Sequence, residues 1–140
     1  MTLSDLTNNI YIFNLKRRTD RREHIISEMD KIDCKNYQII EAVDGRKINN
    51  NSRLKNGAFG LIMSYILLYD TIKDIPYDNI LIIEDDCVFY ENFNVLLSKY
   101  ISQVPSDWDI LYFGANHNYH IGYKTKIIND NVVKLEQKSR

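Results

Sequence analysis

The sequence predicts an α/β fold, a mainly parallel sheet with flanking helices. Three observations carry this reading. Short runs rich in strand formers alternate with segments of helical period, in the order strand, helix, strand, helix, strand, helix, strand, an alternation that implies right-handed crossovers. The run Ile80-Leu81-Ile82-Ile83 is unbroken and apolar, as expected of a strand buried on both faces at the centre of a parallel sheet. That run passes straight into Glu84-Asp85-Asp86, so charge collects where a strand leaves the core.

The elements follow in order. Ile10 to Leu15 reads as strand one. It empties into Lys16-Arg17-Arg18-Thr19-Asp20-Arg21-Arg22, five cations in seven residues. A helix should start there, with Asp20 and Glu23 as a capping box or Thr19 as the cap, and Ile25, Met29 and Ile32 as its buried stripe. Tyr37 to Val43 reads as strand two and stops at the turn pair Asp44-Gly45. Arg46 to Lys55 is a polar, asparagine-rich loop. Gly57 to Asp74 is a helix apolar almost all round and so expected to be mostly buried. Gly57, Gly60 and Ser64 share one narrow face of it, and interior glycines cost about 1 kcal/mol each in helix propensity. Either another backbone packs close there or a ligand needs the space, and packing is the favoured reading. Phe93 to Val104 carries the clearest amphipathic pattern and ends at Pro105. Trp108 to Gly114 reads as strand four, and Lys126-Ile127-Ile128 with Val132 to Leu135 as a hairpin around Asn129-Asp130-Asn131.

At 140 residues the chain has room for one compact domain, 1–140, with a real core. A net charge of −1 gives no reason to expect nucleic-acid binding. No apolar run is long enough to span a bilayer, and no signal-peptide pattern opens the chain. Cys34 and Cys87 make neither a metal spacing nor a disulfide framework. They read as small buried residues in a reducing compartment, hence a cytoplasmic location.

Ligands of open parallel sheets bind beyond the carboxyl ends of the strands. Four segments are expected at that edge: Lys16 to Arg22, Asp44-Gly45, Glu84 to Asp86, and Gly114 onward. Three adjacent carboxylates repel one another, and a hard divalent cation relieves that repulsion while keeping positions open for phosphate oxygens. The arginines at a strand end and helix start suit phosphates. Each close charge pair is worth about 4 kcal/mol of gross attraction at an effective dielectric near 20. The residues thus point to a nucleoside diphosphate with a divalent metal. The bland alternatives are a solvated arginine face and solvated acids ending a strand. His117 and His120 lie on a polar loop, where exposure is the commoner state.

The segments Asn14 to Arg22, Ala42-Val43-Asp44-Gly45, Gly57-Ala58-Phe59-Gly60 with Ser64, Ile83-Glu84-Asp85-Asp86, and Trp108 to Gly114 together resemble glycosyltransferase family 25, which includes lipooligosaccharide and collagen galactosyltransferases. The resemblance implies a GT-A-like nucleotide-diphospho-sugar transferase fold, here truncated. It also implies a UDP-sugar donor, typically UDP-galactose, with Mn²⁺ or Mg²⁺ as cofactor, a glycan or protein acceptor, and inversion. By that likeness Glu84 and Asp86 are the acid-x-acid metal pair with Asp85 beside them. Asn14, Arg17, Arg21 and Asp44 line the nucleotide pocket, and Ser64 faces the donor. Where the family pattern has Ser-His, this sequence has Ser64-Tyr65. Family domains continue past the end of this sequence, and the acceptor-binding part and the general base are expected there. No catalytic base is assigned: Asp109 reads as structural, and His117 and His120 are the other candidates. A nucleotide- and metal-binding remnant without turnover, or an interaction module, is the alternative.

Overall fold

The structure, a computed structural model, describes residues 1–76, 78–114 and 123–137. It forms two compact units, Met1–Asn94 and Val95–Arg140. In the first, a short helix α1 (Leu3–Leu6) precedes β1 (Ile10–Asn14), α2 (Thr19–Lys31), β2 (Gln38–Glu41), α3 (Asn56–Ile72) and β3 (Leu81–Glu84). α4 (Phe93–Ile101) begins at the end of this unit.

The sheet has the order β2-β1-β3 and is parallel throughout. Tyr11 pairs with Gln38 and Ile82, and Phe13 with Ile40 and Glu84, so β1 is central and all five of its residues are buried. Because the chain steps from β1 to β2 and then back across β1 to β3, right-handed crossovers put α2 and α3 on opposite faces. Side-chain alternation along β1 serves both faces. Tyr11 and Phe13 pack in a cluster with Leu68 and Ile72 of α3, and the Phe13 and Tyr65 rings meet edge to face at 5.1 Å. Ile10 and Ile12 point the other way and are buried, as are Ile25 and Met29 of α2.

α2 starts at Thr19, so neither Asp20 nor Thr19 is its cap. Arg18 is its N-cap residue and no side-chain capping bond forms. Asp20 is instead taken by the Arg18 guanidinium, with Nη2 to Oδ2 at 2.6 Å, which lowers its carboxyl pKa to about 2. α3 departs from the expected burial. Gly60, Ser64, Leu68 and Ile72 are buried, whereas Ile62, Ile66, Leu67 and Tyr69 are exposed. A helix lays one stripe against a sheet, and apolar composition alone does not supply a cover for the rest.

In the second unit β4 (Tyr123–Asn129) and β5 (Val132–Gln137) form the expected antiparallel hairpin, with a register shift between Ile127 and Asn129. The side-chain amide of Asn129 donates to the Gln103 carbonyl at 3.0 Å, and that of Asn131 donates to Gln103 Oε1 at 2.8 Å, so the turn is tied to the end of α4. Trp108 to Gly114, expected as strand four, carries no strand. Trp108, Ile110, Tyr112 and Phe113 are exposed, and the segment joins none of the ladders among the described residues. Its apolar pattern satisfies the side-chain rule for a strand, but a strand also needs a neighbour's backbone groups. No helix among the described residues is long and apolar enough to cross a membrane.

Candidate functional site

Parallel pairing brings the carboxyl ends of β1, β2 and β3 to one edge, as the sequence implied. Three of the four expected segments leave the sheet there. No strand of this sheet precedes Gly114, and residues 115–122 lie outside the described residues.

The first part of the site lies beyond β1 and β2. A cavity of about 300 Å³ is lined by Leu15, Lys16, Arg17, Glu41, Ala42, Val43, Asp44 and Lys47. Asp44 organises its rim. Arg17 Nε donates to Asp44 Oδ2 at 3.0 Å, while Arg46 clasps both oxygens, Nε to Oδ1 at 3.1 Å and Nη2 to Oδ2 at 2.8 Å. The Arg46 backbone N–H adds a further bond to Oδ1 at 3.2 Å. The Arg46 and Arg17 guanidiniums together hold the Asp44 carboxyl well below the usual carboxylate range. Asp44 therefore serves as a fixed anion that aims two arginines, and Lys16, Arg17 and Lys47 set against Glu41 and Asp44 leave the cavity wall with a small positive excess.

The second part is the turn after β3. Here the three acids take different roles. Asp85 is buried, while Glu84 and Asp86 are exposed. Asp85 Oδ2 accepts from the Asn14 amide at 2.7 Å and Oδ1 from Arg21 Nη1 at 3.0 Å. The same Asn14 amide donates to the Arg18 carbonyl at 3.1 Å, tying the end of β1 to the start of α2. Arg21 Nη1 also reaches Asp86 Oδ2 at 3.1 Å. Although Glu84 reaches solvent, the protein packed around its carboxyl partly desolvates it and raises its pKa, and repulsion from Asp86 and Asp85 adds to it. The three acids thus sit close enough to feel one another, and Arg21 answers only part of their charge. Among the described residues no group of three or more His, Cys, Asp or Glu side chains is arranged to hold a metal ion.

Comparison with known proteins places these segments in context. The sequence model of "Glycosyltransferase family 25 (LPS biosynthesis protein)" matches residues 7–140. The chain belongs to glycosyltransferase family 25. Among its relatives are "Procollagen galactosyltransferase 2" of Homo sapiens, 30% identical over 127 residues, and "Procollagen galactosyltransferase 1" of Danio rerio, 30% identical over 129 residues. The match covers 75% of this chain in both cases, but 20% and 21% of the respective relatives. "Procollagen lysyl hydroxylase and glycosyltransferase" of Acanthamoeba polyphaga mimivirus is 29% identical over 129 residues, covering 73% of this chain and 14% of that protein. The family 25 chain therefore spans about a fifth or less of the length of these relatives. No solved structure matches it, and its parallel sheet flanked by helices is compatible with a glycosyltransferase fold.

In this family 25 chain the small face of α3 is a packing face. A Cβ on Gly60 would lie 2.5 Å from the Val43 carbonyl oxygen and 2.7 Å from Gly45 N, and a Cβ on Gly45 would lie 1.9 Å from the Asn56 carbonyl oxygen. Two backbones therefore touch where β2 hands over to Asp44. Ser64 joins the same contact: its hydroxyl donates to the Gly60 carbonyl at 2.8 Å and accepts from Val43 N–H at 2.8 Å. A Cβ on Gly57 would meet nothing within 4 Å, so Gly57 does not share in this packing.

The structure brings together Asn14, Arg21, Asp85 and Asp86 in one network, and Arg17 with Asp44 in another. Ser64 lies behind the second, bonded to backbone. Reading the sequence missed Arg46, whose polar loop gave no sign that it folds back onto Asp44. It also missed His24 and Glu28, whose partners are backbone groups more than sixty residues away. His117 and His120 lie outside the described residues.

Proposed function

We propose that this family 25 chain binds the donor of a glycosyltransferase, a UDP-sugar held with a divalent cation, for transfer of a hexose, galactose by likeness to its relatives, to a glycan or protein acceptor with inversion. The observation that carries the reading is the division of labour in the acidic turn. Asp85 is buried on Asn14 and Arg21, which leaves Glu84 and Asp86 exposed with their repulsion only partly answered.

The donor set fits a hard cation of the Mg²⁺ or Mn²⁺ kind. Two exposed carboxylates supply oxygen ligands, and such ions keep the rest of their shell for water and substrate phosphates. Glu84 and Asp86 would hold it. When bound, the cation offsets the charge that develops on the departing diphosphate. The remaining work falls to the chain's own side chains. Lys16, Arg17 and Lys47 present positive charge to phosphate oxygens at the cavity wall, and Asp44 with Arg46 keeps Arg17 in place. Arg21, fixed by Asp85, keeps Asp86 turned toward the site. Inversion further needs a base for the acceptor hydroxyl proton, and none of these residues is assigned that part.

The deciding experiment is calorimetric titration of UDP into the protein with and without Mn²⁺, followed by hydrolysis and transfer assays with UDP-galactose. Binding that requires the metal is the expected result. Absence of binding under both conditions would overturn the donor reading.

A further inference from the structure

One face of α2 holds the end of the acidic turn and the segment that follows it. Arg21, His24, Glu28 and Lys31 fall at i, i+3, i+7 and i+10, so they form one stripe. The stripe meets the segment Asp85 to Phe89 nearly residue by residue. Arg21 takes the Asp85 and Asp86 carboxylates at 3.0 and 3.1 Å. His24 Nε2 donates to the Cys87 carbonyl at 3.0 Å, which requires the proton on that nitrogen. Glu28 Oε2 accepts the Phe89 N–H at 2.6 Å. Lys31 donates to the Phe89 carbonyl and pairs with Glu28 at 3.2 Å. Cys87 to Tyr90 lies in neither strand nor helix, so the ladder that would otherwise fix the Phe89 backbone is replaced by two side chains of α2. The Glu28 carboxyl is lowered chiefly by the Phe89 N–H, as expected of an acceptor held in its charged form. Phe89 itself is buried and stacks edge to face on Phe93 at 4.7 Å, which anchors the far end of the segment.

We propose that Glu28, with His24 and Lys31, is a positioning residue that sets the direction in which Glu84 and Asp86 face a nucleoside diphosphate and its divalent cation. The inference rests on the donor reading above. It differs from a plain folding role in one respect: relaxing the grip should cost metal-dependent binding more than stability or metal-independent contact. Groups that orient metal-binding carboxylates typically matter by 10- to 100-fold in metal affinity.

The test compares the parent with Glu28→Ala and Glu28→Gln, using UDP as ligand with and without Mn²⁺, alongside amide hydrogen exchange at Phe89. Glu28→Ala should lose Phe89 protection and weaken Mn²⁺-dependent UDP binding about 10-fold, with metal-free titration unchanged. Glu28→Gln keeps an acceptor oxygen for the Phe89 N–H and should restore most of the affinity. Should Glu28→Ala fail to fold, His24→Leu and Lys31→Met are read in its place, each expected to weaken the metal-dependent part alone. Variants that bind UDP with Mn²⁺ as tightly as the parent would overturn the positioning role and leave the donor reading standing. Equal losses in Glu28→Ala and Glu28→Gln would overturn it as well. A parent that binds no UDP with Mn²⁺ would sink the donor reading, and this inference with it.

Discussion

Gly60→Ala is a sharp test of the way this fold builds its site. In an open helix interior the change should gain about 1 kcal/mol from propensity. Here the new methyl would meet the Val43 carbonyl oxygen at 2.5 Å, Gly45 N at 2.7 Å and Gly45 Cα at 3.1 Å. All three are backbone atoms, so relief requires α3 and the β2 exit to move apart. Overpacking of a tight core costs about 1–3 kcal/mol, and immovable neighbours put this case at the upper end. Separation would also stretch the Ser64 hydroxyl bond to Val43 N–H, now 2.8 Å, at a further cost of about 1 kcal/mol. The net expectation is a loss of about 2–3 kcal/mol. Gly57→Ala is the control. It is the same substitution three residues earlier in the same helix, but with nothing within 4 Å, and it should be neutral or stabilising by up to about 1 kcal/mol. Urea unfolding followed by circular dichroism would measure both. Because Asp44 lies between Val43 and Gly45, UDP affinity should fall with stability in Gly60→Ala alone. A Gly60→Ala protein as stable as the parent would refute the close backbone approach.

Four further outcomes are expected. Asp86→Ala should abolish metal-dependent UDP binding in calorimetry while the unfolding midpoint stays near the parent's, since its side chain is 56% exposed; parental affinity with Mn²⁺ would remove Asp86 from the metal pair. Arg17→Ala should weaken UDP binding through a lost phosphate contact, with the fold kept because Arg46 still holds Asp44, and unchanged affinity would return Arg17 to a solvated face. Asp85→Ala should cost about 2–3 kcal/mol in urea unfolding, because it strips the Asn14 amide and Arg21 of a buried acceptor; a loss under about 0.5 kcal/mol would contradict that role. The Asp44 carboxyl is depressed when folded, so its contribution is complete above its ordinary pKa of 3.8 and is lost as pH falls below it. The stability gap between parent and Asp44→Asn should accordingly be constant from pH 7 to 5, begin to narrow below about pH 4 and go on closing as pH falls toward the depressed folded value, and a gap that widens in acid would reverse the sign.

Much of this arrangement is legible in the residues. The run Ile10 to Asn14 announces a strand because continuous burial asks for a nearly unbroken apolar run, and Ile25 and Met29 mark the buried side of α2 by their spacing. Leu81 to Glu84 is a strand too, but among the described residues it lies beside β1 at the edge of the sheet and is only partly buried, not central and buried on both faces as its composition implied, because apolarity does not say how many neighbours a strand finds. The placing of the cations and acids at one edge follows from alternation alone. What sequence does not carry is pairing. Trp108 to Gly114 has the composition of a strand and no ladder among the described residues, because composition says nothing of whether a neighbour's N–H and C=O groups are in reach. Asp20 has the spacing of a cap and goes to Arg18, since a nearby guanidinium outcompetes an amide for a carboxylate. The different fates of Glu84, Asp85 and Asp86 depend on Asn14 and Arg21, which are adjacent only after folding.

The central place of β1 has a consequence for how the chain reaches this state. Its two neighbours join it from very different distances along the chain: Tyr11 meets Gln38, but Ile10 meets Leu81. At synthesis rates of about 5–20 residues per second, several seconds separate the emergence of β1 from that of β3. During that interval the β1–β2 pair has one apolar strand with an unmatched row of backbone groups, the kind of edge that recruits other chains. Parallel pairing at such separation also closes slowly once the chain is free. The strand that delivers the acidic turn is therefore the last piece of the sheet to emerge, and the edge that gathers the three carboxyl-terminal segments is complete only once it pairs with β1.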